Sequence, residues 1–408
     1  MYSQNSKIYY MLQFKCRAFL AKPFFHDKRT LLWLWTLLPI IATVFKLHRN
    51  NNYLIFRGVF WHTVNQTSLY GAYPNEYFDV NHYGPLFALV VAPFAVMPVW
   101  LGMLFWNVVL SLCLYVAISR SQLKYKQQIF IYWFCAETLL TSLFMQQFNI
   151  AIAAIIIASY FMIERERDFW AAFLIMLGTF VKLYGVVGLA FFFFSKHKGR
   201  FVLSLLLWAV VLFVAPMLIS NADYVIGQYH EWYVTLLEKN GENLQSIAQN
   251  ISLLGMVRRI TGNLLYSDLW LIAPALVLFF IPYFRFSQYR NAMFRQTYLA
   301  SVLLFVVLFS TGSESSSYII AISGACIWYL SAPWQRNRWD IIFMVLVLMI
   351  SGFGSSDLYP CCIRHDLIQV YSLKALPCTL VWLKLCYEMM FKNYASADVD
   401  TQSEASKS

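Results

Sequence analysis

The sequence predicts an all-α, polytopic integral membrane protein, and three observations support that prediction. Hydrophobic residues make up 60% of the 408 residues and charged residues only 12%, whereas soluble domains carry roughly 25% charged residues. Apolar runs recur along nearly the whole chain, many of them close to the roughly 20 residues that a helix needs to cross a bilayer. The net charge of +11 is typical of cationic loops on one membrane face, so we expect membrane lipids as partners and no nucleic acid.

We predict about twelve transmembrane helices, each over one apolar run. In chain order they cover residues 30-46, 100-118, 129-146, 149-163, 169-182, 184-194, 201-219, 268-284, 296-310, 317-332, 339-353 and 374-391. Residues 85-97 are apolar but short, and a crossing there would move the cations that follow to the opposite face, so we predict a dipping or interfacial helix. Residues 169-182 and 184-194 are also short, which favours tilted or half-penetrating helices.

Lysine and arginine concentrate in the loops on one side of these helices. The loops on that side contain Lys7, Lys22, Lys28, Arg29, Arg120, Lys124, Lys126, Arg165, Arg167, Lys196, Lys198, Arg200, Arg285, Arg290, Arg295, Arg336 and Arg338. Cytoplasmic loops of membrane proteins carry such an excess of cations. We therefore predict a plasma (inner) membrane protein with both termini cytoplasmic.

The same topology divides the chain into three parts. Residues 1-29 form a cytoplasmic N-terminal segment, residues 30-392 the transmembrane domain, and residues 393-408 a disordered cytoplasmic tail of small polar residues. The transmembrane domain has two long outer loops, 47-84 and 220-267. Because long loops carry function more often than short ones, we expect the chemistry on the outer face.

The first outer loop is dense in polar and aromatic residues, and its carboxylates are Glu76 and Asp79. A carboxylate held against an acceptor hydroxyl at the membrane surface serves as a general base, so each is a candidate. The alternative is that both are ordinary solvated loop carboxylates.

Lys182 is the one charged residue in the stretch 169-194. Ionisable groups at membrane depth mark functional sites by default, and a lipid-linked phosphate would satisfy the ammonium that the bilayer leaves unpaired. Gln147 and Asn149 lie at the junction of two predicted spans on the same side and are candidates for the same cavity. The alternatives are a lysine that snorkels from a helix end and a polar turn.

Other candidates for substrate binding lie in the outer loops. Arg258 follows an apolar stretch too short to cross, which predicts an amphipathic helix on the outer surface, and it is a candidate for a donor phosphate or for lipid headgroups. Arg57 in the first loop is similar. Glu314, in a short polar loop between two spans, is a further candidate for substrate binding. No metal-ligand set stands at a recognised spacing, and we predict neither a metal nor a cofactor.

Three stretches of the sequence carry a resemblance to a known family. Residues 82-98, HYGPLFALVVAPFAVMP, resemble a Tyr-Pro-Pro run followed by an apolar dipping segment. Residues 147-185 resemble a Gln-x-Asn helix, a charged turn and a Lys-Leu-Tyr helix, and residues 251-260, ISLLGMVRRI, resemble an outer-loop Ser-Leu-x-Gly segment. In this order and spacing the chain resembles the glycosyltransferases of family 87, which implies the type C membrane glycosyltransferase fold.

Two motifs of that family are altered here. Its members usually carry Asp-Phe-x-x-Tyr at the start of the first outer loop, with the aspartate as catalytic base, and a Leu-Tyr pair further on. Counting back from Leu69-Tyr70 gives Asn52 at the aspartate position, and an asparagine cannot accept the proton. Either Glu76 or Asp79 takes the role, or the protein is not catalytic in the expected way, or the register differs. The Tyr-Pro-Pro element is altered as well.

We favour Asp79 as the base. It lies just before Tyr83-Gly84-Pro85, where the chain turns down into the dipping segment, whereas Glu76 follows a Pro-Asn pair in a more exposed turn. The shorter side chain also fixes a base more tightly within reach of an acceptor.

The resemblance implies an inverting transfer of a sugar, with mannose as the default, from a polyprenyl phosphate to a hydroxyl of an envelope glycan or glycolipid on the outer face. In that scheme Lys182, with Arg57 or Arg258, holds the donor phosphate, and His82, Tyr83 and Tyr184, within the matching motifs, bind substrate. Two alternatives remain, a transporter or flippase of lipid-linked sugars and a non-catalytic membrane scaffold.

Overall fold

The computed structural model describes residues 21–244, 246 and 248–395. Within these residues every regular element is a helix, and there is no strand. Residues 1-20 of the predicted N-terminal segment, with Lys7, and residues 396-408 of the predicted tail lie outside the described residues.

The helices follow one another with short connections. The α-helices are α1 (Pro23–His26), α2 (Lys28–Lys46), α3 (Asn51–Asn65), α4 (Phe87–Ala95), α5 (Val99–Ser119), α6 (Tyr125–Phe144), α7 (Asn149–Glu164), α8 (Asp168–Val181), α9 (Lys198–Val214), α10 (Ala222–Asn243), α11 (Leu253–Thr261), α12 (Leu269–Phe280), α13 (Ala292–Leu308), α14 (Tyr318–Leu330), α15 (Arg338–Leu346) and α16 (Ala375–Phe391). Tighter 3-10 segments cover Leu183–Phe194, Ala215–Leu218, Ile281–Phe284, Phe286–Gln288, Ser315–Ser317 and Phe353–Ser355, and π-helical segments cover Val347–Gly352 and Cys362–Gln369.

Each predicted span coincides with one of these helical segments, or with a run of consecutive segments, to within about one turn. Among the described residues, four stretches are long and apolar enough to cross a membrane: Lys28–Lys46, Val99–Ser119, Lys198–Leu218 and Arg338–Ser355. Several other apolar helices are shorter, so the structure does not fix the number of crossings, and twelve stays a prediction.

The core is built around α7, whose sequence NIAIAAIIIASYFMIE is apolar on every side. A helix of that kind is stable only when it is surrounded, and α7 packs against α5, α8 and α14. The neighbouring pair α13 and α14 approach closely at Gly324, where a Cβ atom would lie 2.9 Å from the Ala300 carbonyl oxygen.

The first predicted outer loop contains a helix near its start, α3, which the sequence does not predict. Its buried residues Tyr53, Phe56 and Val59 recur every third position, and the helix packs against α4. Polar residues before, between and after these three obscure that face in the sequence. The helix ends at Gln66, which has a left-handed backbone with φ 57°. Helix α4 corresponds to the predicted dipping segment.

The second predicted outer loop also holds a long helix, α10, and this helix packs on the first loop. Asn221 caps it by accepting a hydrogen bond from Tyr224 N at 2.7 Å. Further along, the Gln228 side chain accepts from Leu69 N at 2.7 Å. The two loops therefore form one assembly at one end of the helix bundle.

The two short predicted spans form a tight hairpin of α8 and the 3-10 segment Leu183–Phe194. The two arms meet at glycines: a Cβ atom on Gly185 would lie 2.3 Å from the Gly178 carbonyl carbon and 2.3 Å from Thr179 N. Lys182 is the residue at the turn, and its backbone N–H still bonds to the Gly178 carbonyl oxygen at 2.8 Å. This hairpin carries the lysine to the end of the bundle where the loops assemble.

Candidate active site

A cavity of about 410 Å³, called the first cavity below, lies where α3, the turn after α8 and the end of α10 meet. Among the described residues that line it, the carboxylates are Asp79 and Glu314 and the ammonium groups are Lys182 and Lys239. Aromatic rings and amides complete the wall. A concave site with a few convergent charged groups is typical of a small-molecule binding site.

Lys182 lies at the wall of the first cavity between two tyrosines. Its ammonium donates to Asn149 Oδ1 at 2.7 Å and stands 4.9 Å from the Tyr184 ring centre and 5.7 Å from the Tyr83 ring centre. The Glu314 carboxylate acts on it electrostatically. An ammonium has three donors, and the Asn149 bond uses one, so the group is well suited to an anion in the cavity.

His82 and Asp79 face the cavity from the first loop. His82 Nε2 stands 3.9 Å from Asp79 Oδ1, and among the described residues neither buried ring nitrogen has a hydrogen-bond partner. Burial, reinforced by the Lys239 ammonium, lowers the pKa of His82 to about 4. The imidazole is therefore neutral near pH 7 and offers one donor and one acceptor to a ligand.

Asp79 has an unusual backbone, with φ 75°. Asp is among the few non-glycine types that adopt this left-handed region, and its Oδ1 accepts from Val80 N at 2.8 Å. Its side chain is 57% exposed, so a carboxylate oxygen is accessible to a substrate from the cavity.

The segment Tyr83-Gly84-Pro85 attaches this part of the loop to the lysine turn. Gly84 N donates to the Val181 carbonyl oxygen at 3.1 Å, and a Cβ atom on Gly84 would lie 2.1 Å from the Phe180 carbonyl oxygen. A proline at position 84 would lack this N–H donor, and its side chain would clash with the Phe180 carbonyl oxygen. This accounts for glycine where the Tyr-Pro-Pro run that the segment resembles has its first proline. Tyr83 is thereby fixed beside Lys182.

Glu314, Gln147 and Asn149 form one hydrogen-bonded row. Gln147 Nε2 donates to Glu314 Oε2 at 2.7 Å, and Asn149 Nδ2 donates to Gln147 Oε1 at 3.2 Å. Through the bond from Lys182 to Asn149, the row connects the carboxylate to the ammonium. Tyr184 completes this side, with its hydroxyl 2.7 Å from Ser310 Oγ.

Glu76 and Asn52 differ in their relation to the cavity. Glu76 lies outside the described lining and pairs with His62, whose Nε2 is 3.3 Å from Glu76 Oε2. Asn52 lines the cavity from the first turn of α3, but its amide already donates to the Met145 carbonyl oxygen at 2.8 Å. Of the two sequence-predicted candidates for the base, Glu76 and Asp79, only Asp79 lies in the described lining of the cavity.

The structure does not bring Arg57 and Arg258 to the cavity, so their predicted contact with a donor phosphate there is not supported. Arg57 Nε donates to the Ala95 carbonyl oxygen at 2.9 Å. Arg258 is 2% exposed and pairs with Asp268 Oδ1 at 2.5 Å, because burial of a guanidinium requires a partner close by. Arg57 thus links α3 to the end of α4, and Arg258 holds the segment that follows α11.

An apolar groove of about 750 Å³ runs along α5, α7 and α8 beside the first cavity. Its end nearest the cavity is lined by Trp106 and Phe148, and its far end by Arg120 and Arg165. Trp106 packs on Phe56 of the cavity wall with ring centres 5.8 Å apart. This aromatic contact places the apolar groove next to the polar cavity.

A family model describes this part of the chain. The model of glycosyltransferase family 87 matches residues 81–311, more than half of the chain. The chain belongs to glycosyltransferase family 87. No curated protein and no solved structure matches it. Membership of this family, together with the apolar helices, makes the chain a membrane protein and supports glycosyltransferase activity.

The stretch matched by the family 87 model contains His82, Tyr83 and Lys182 but ends before Glu314 and begins after Asp79. The cation side of the cavity therefore lies within the family match. The candidate base lies outside it, which agrees with the altered motif in the first loop.

The contribution of α10 to this cavity is not evident from the sequence. Trp232 Nε1 donates to the His82 carbonyl oxygen at 2.9 Å, Lys239 adds a second ammonium to the lining, and Asn243 is buried in the wall. In the sequence, α10 has the charged composition of an ordinary surface helix. The one usable signal was that its tryptophan and asparagine lie on the same helical face, eleven residues apart.

Within the described residues no group of three or more His, Cys, Asp or Glu side chains is close enough together to hold a metal ion.

Proposed function

We propose that this protein transfers a sugar, with mannose as the default, from a polyprenyl phosphate to a hydroxyl of an envelope glycan or glycolipid. The transfer takes place on the outer face of the plasma (inner) membrane, and both termini are cytoplasmic. The observation that carries the proposal is a lysine ammonium at the wall of a polar cavity that adjoins an apolar groove.

The two halves of such a donor fit the two adjoining spaces. Its sugar and phosphate occupy the first cavity, where Lys182, and Lys239 from α10, balance the phosphate charge. Its prenyl chain lies in the apolar groove beyond Trp106 and Phe148. A donor that carries its own leaving group needs no nucleotide.

The reaction is a single displacement. The acceptor oxygen forms a bond to the anomeric carbon while the bond from that carbon to the phosphate oxygen breaks, and its electron pair goes to the polyprenyl phosphate. The acceptor proton goes to the Asp79 carboxylate. Lys182 stabilises the negative charge that develops on the departing phosphate, and the neutral His82 ring orients a hydroxyl.

Asp79 is preferred over Glu76 for the base because it lines the cavity that Lys182 also lines. Glu76 is paired with His62 instead. Both Asp79 and Lys182 act electrostatically on His82, which supports a common site for the proton acceptor and the phosphate-binding cation.

A direct transfer assay tests the proposal. Purified protein in lipid nanodiscs is incubated with short-chain polyprenyl phosphates carrying mannose, glucose or galactose, and with an alkyl hexoside as acceptor. We expect transfer from at least one donor, inversion at the anomeric carbon and no stimulation by nucleotide sugars. Movement of intact donor across a liposome bilayer without transfer would instead favour the transporter alternative.

A further inference from the structure

A second cavity of about 450 Å³ adjoins the first one. The two share Met145, Gln249 and Glu314 in their walls. Most of its other lining residues come from the end of α6, the 3-10 segments Ser315–Ser317 and Phe353–Ser355, the π-helical segment Cys362–Gln369 and the residue before α16. Glu314 therefore stands between two spaces that open at the same end of the bundle.

Lys374 is a buried cation in the second cavity that the proposed reaction does not use. It is 2% exposed, its ammonium donates to Ser355 Oγ at 2.8 Å, and it stands 5.0 Å from the Tyr318 ring centre. The carboxylate of Glu137, in α6, acts on it electrostatically. An ammonium has three donors, and the Ser355 bond uses one of them, so Lys374 can also donate to an anionic ligand in this cavity.

Arg364 provides a second cation at the same wall. Its Nη1 atom pairs with the carboxylate of Asp357, whose side chain is 95% exposed. Its Nε atom is buried and, in the described part of the chain, has no hydrogen-bond partner. A guanidinium fork with an unused donor matches a phosphate or carboxylate group.

The remaining lining is rich in hydroxyls and small polar groups. Thr141, Ser315, Ser316 and Ser355 line the cavity, and His365 lies beside Arg364 with its Nδ1 2.8 Å from Gln369 Oε1. Hydroxyls and amides of this kind hydrogen-bond to sugar hydroxyls, while the two cations hold a negative charge. The lining therefore suits a glycan that carries an anionic group.

We propose that the second cavity is the acceptor site and that it selects an acceptor carrying a phosphate or carboxylate group, held by Arg364 and Lys374. The accepting hydroxyl would then lie at the Glu314 end, where the second cavity meets the donor site. This inference rests on the proposed function, because it assigns the other substrate of that reaction. Phosphate of the donor is a poorer fit here, since the apolar groove adjoins the first cavity at Trp106 and Phe148.

The test compares two octyl hexosides that differ only in a phosphomonoester at one hydroxyl. Transfer onto each is measured with the wild-type protein and with Arg364→Gln, Lys374→Gln and Arg200→Gln. Arg200 is exposed at the start of α9 and lines neither cavity, so it is the matched control. Arg364→Gln removes the partner of the exposed Asp357 carboxylate, and the loss of such a surface ion pair destabilises a protein little. This variant therefore still tests the proposal if Lys374→Gln folds poorly.

We expect the wild type to prefer the phosphorylated hexoside by roughly tenfold in kcat/KM or more, the value of one charge-assisted contact. Arg364→Gln should remove most of that preference through KM for this acceptor, with KM for the neutral hexoside and for the donor unchanged. Equal use of the two hexosides by the wild type, or a preference that survives in Arg364→Gln, would overturn the proposal. A rise in KM for the donor instead would assign the second cavity to the donor.

Binding separates failure of this inference from failure of the proposed function. Calorimetry with the phosphorylated octyl hexoside needs no transfer. If no donor is turned over but Arg364→Gln weakens this binding, the proposed reaction is wrong while the anion site stands. If transfer proceeds and calorimetry gives the same affinity for wild type and Arg364→Gln, the acceptor site lies elsewhere.

Discussion

The Asp79 carboxylate combines two properties that a base at this site requires. It lines the first cavity. Its backbone lies in the left-handed region, φ 75°, which few residue types adopt. Asn tolerates the same backbone region, so an Asp79→Asn substitution removes the proton acceptor with little change of shape.

We predict that Asp79→Asn loses transfer by about a hundredfold or more, because general base catalysis typically contributes this much, while donor binding persists. Glu76→Gln is the control, since Glu76 lies outside the described lining of the cavity, and Asn52→Asp should stay active. Turnover of each purified variant decides the matter. An active Asp79→Asn with an inactive Glu76→Gln would move the base to Glu76.

His82 makes the stability of the fold depend on pH in a defined window. Burial lowers its pKa from 6.5 in the free side chain to about 4, so between these values the unfolded chain binds more protons than the folded chain. The free energy of unfolding therefore rises with pH across the window. The contribution that His82 makes to it is fully present above pH 6.5 and is lost as the pH falls through about 4.

We predict that His82→Gln flattens this pH dependence. The midpoint of thermal unfolding in detergent should fall less between pH 6.5 and 4 for His82→Gln than for the wild type, and His48→Gln, at an exposed position, should behave as the wild type. Identical slopes for His82→Gln and the wild type would mean that His82 is accessible to protons in the folded protein.

Individual site residues could be predicted from sequence when they interrupt apolar runs. Lys182, Gln147 and Asn149 were found in this way, and the structure brings all three together. Lys239 and Trp232 could not be found, because a lysine and a tryptophan on a mostly polar helix carry no such contrast. Their role depends on α10 packing on the first loop, which is a contact between segments far apart in sequence.

The hairpin of α8 and the 3-10 segment Leu183–Phe194 fixes the position of Lys182 at the end of the helix bundle. Its arms touch at Gly178 and Gly185, where backbone atoms leave no room for a side chain. The contact between these two glycines thus sets the geometry of the turn, and with it the position of Lys182 at the cavity wall.

We predict that Gly185→Ala destabilises the protein by about 1–3 kcal/mol, the usual cost of an added group in a close-packed contact. The new Cβ atom would meet the Gly178 backbone, which cannot move aside as a flexible side chain can. Gly199→Ala is the matched control, because nothing lies within 4 Å of a Cβ atom there. Thermal unfolding in detergent measures both. Equal midpoints for the two variants would contradict the close contact.

The elements themselves differ in how far the sequence predicts them. The apolar helices can be predicted because their hydrophobicity is continuous, as in α7. In α3 and α10 polar and aromatic residues are interspersed, a pattern that predicts loop. Amphipathic helices that lie on other loops bury only one face. Their stability comes from that packing, which the local sequence does not contain.

At the scale of the whole molecule, the all-helical architecture followed from composition, and the family followed from three short stretches. The number of membrane crossings did not, because several helices are shorter than the hydrophobic thickness of a bilayer. Whether such a helix crosses depends on tilt and on its neighbours rather than on its own sequence.

We predict that α10 and both cavities face the outside. A cysteine placed at the exposed Glu238 of α10, in a background with the eight native cysteines replaced, should react with an impermeant maleimide in intact cells. A cysteine at the exposed Lys126 should react only after permeabilisation. The opposite pattern would invert the topology and remove chemistry from the outer face.

In the proposed reaction, Lys182 holds the phosphate of a lipid-linked sugar donor in the first cavity. The most direct test is the single-turnover rate of purified Lys182→Ala with a polyprenyl-phosphate sugar, beside the wild type and Lys126→Ala, a control at an exposed position outside the cavity. We predict a loss of about a hundredfold or more for Lys182→Ala alone, the cost of removing one charge-stabilising donor, with the protein still inserted and folded. Turnover by Lys182→Ala at the wild-type rate would contradict the claim and leave the lysine as one that snorkels from a helix end.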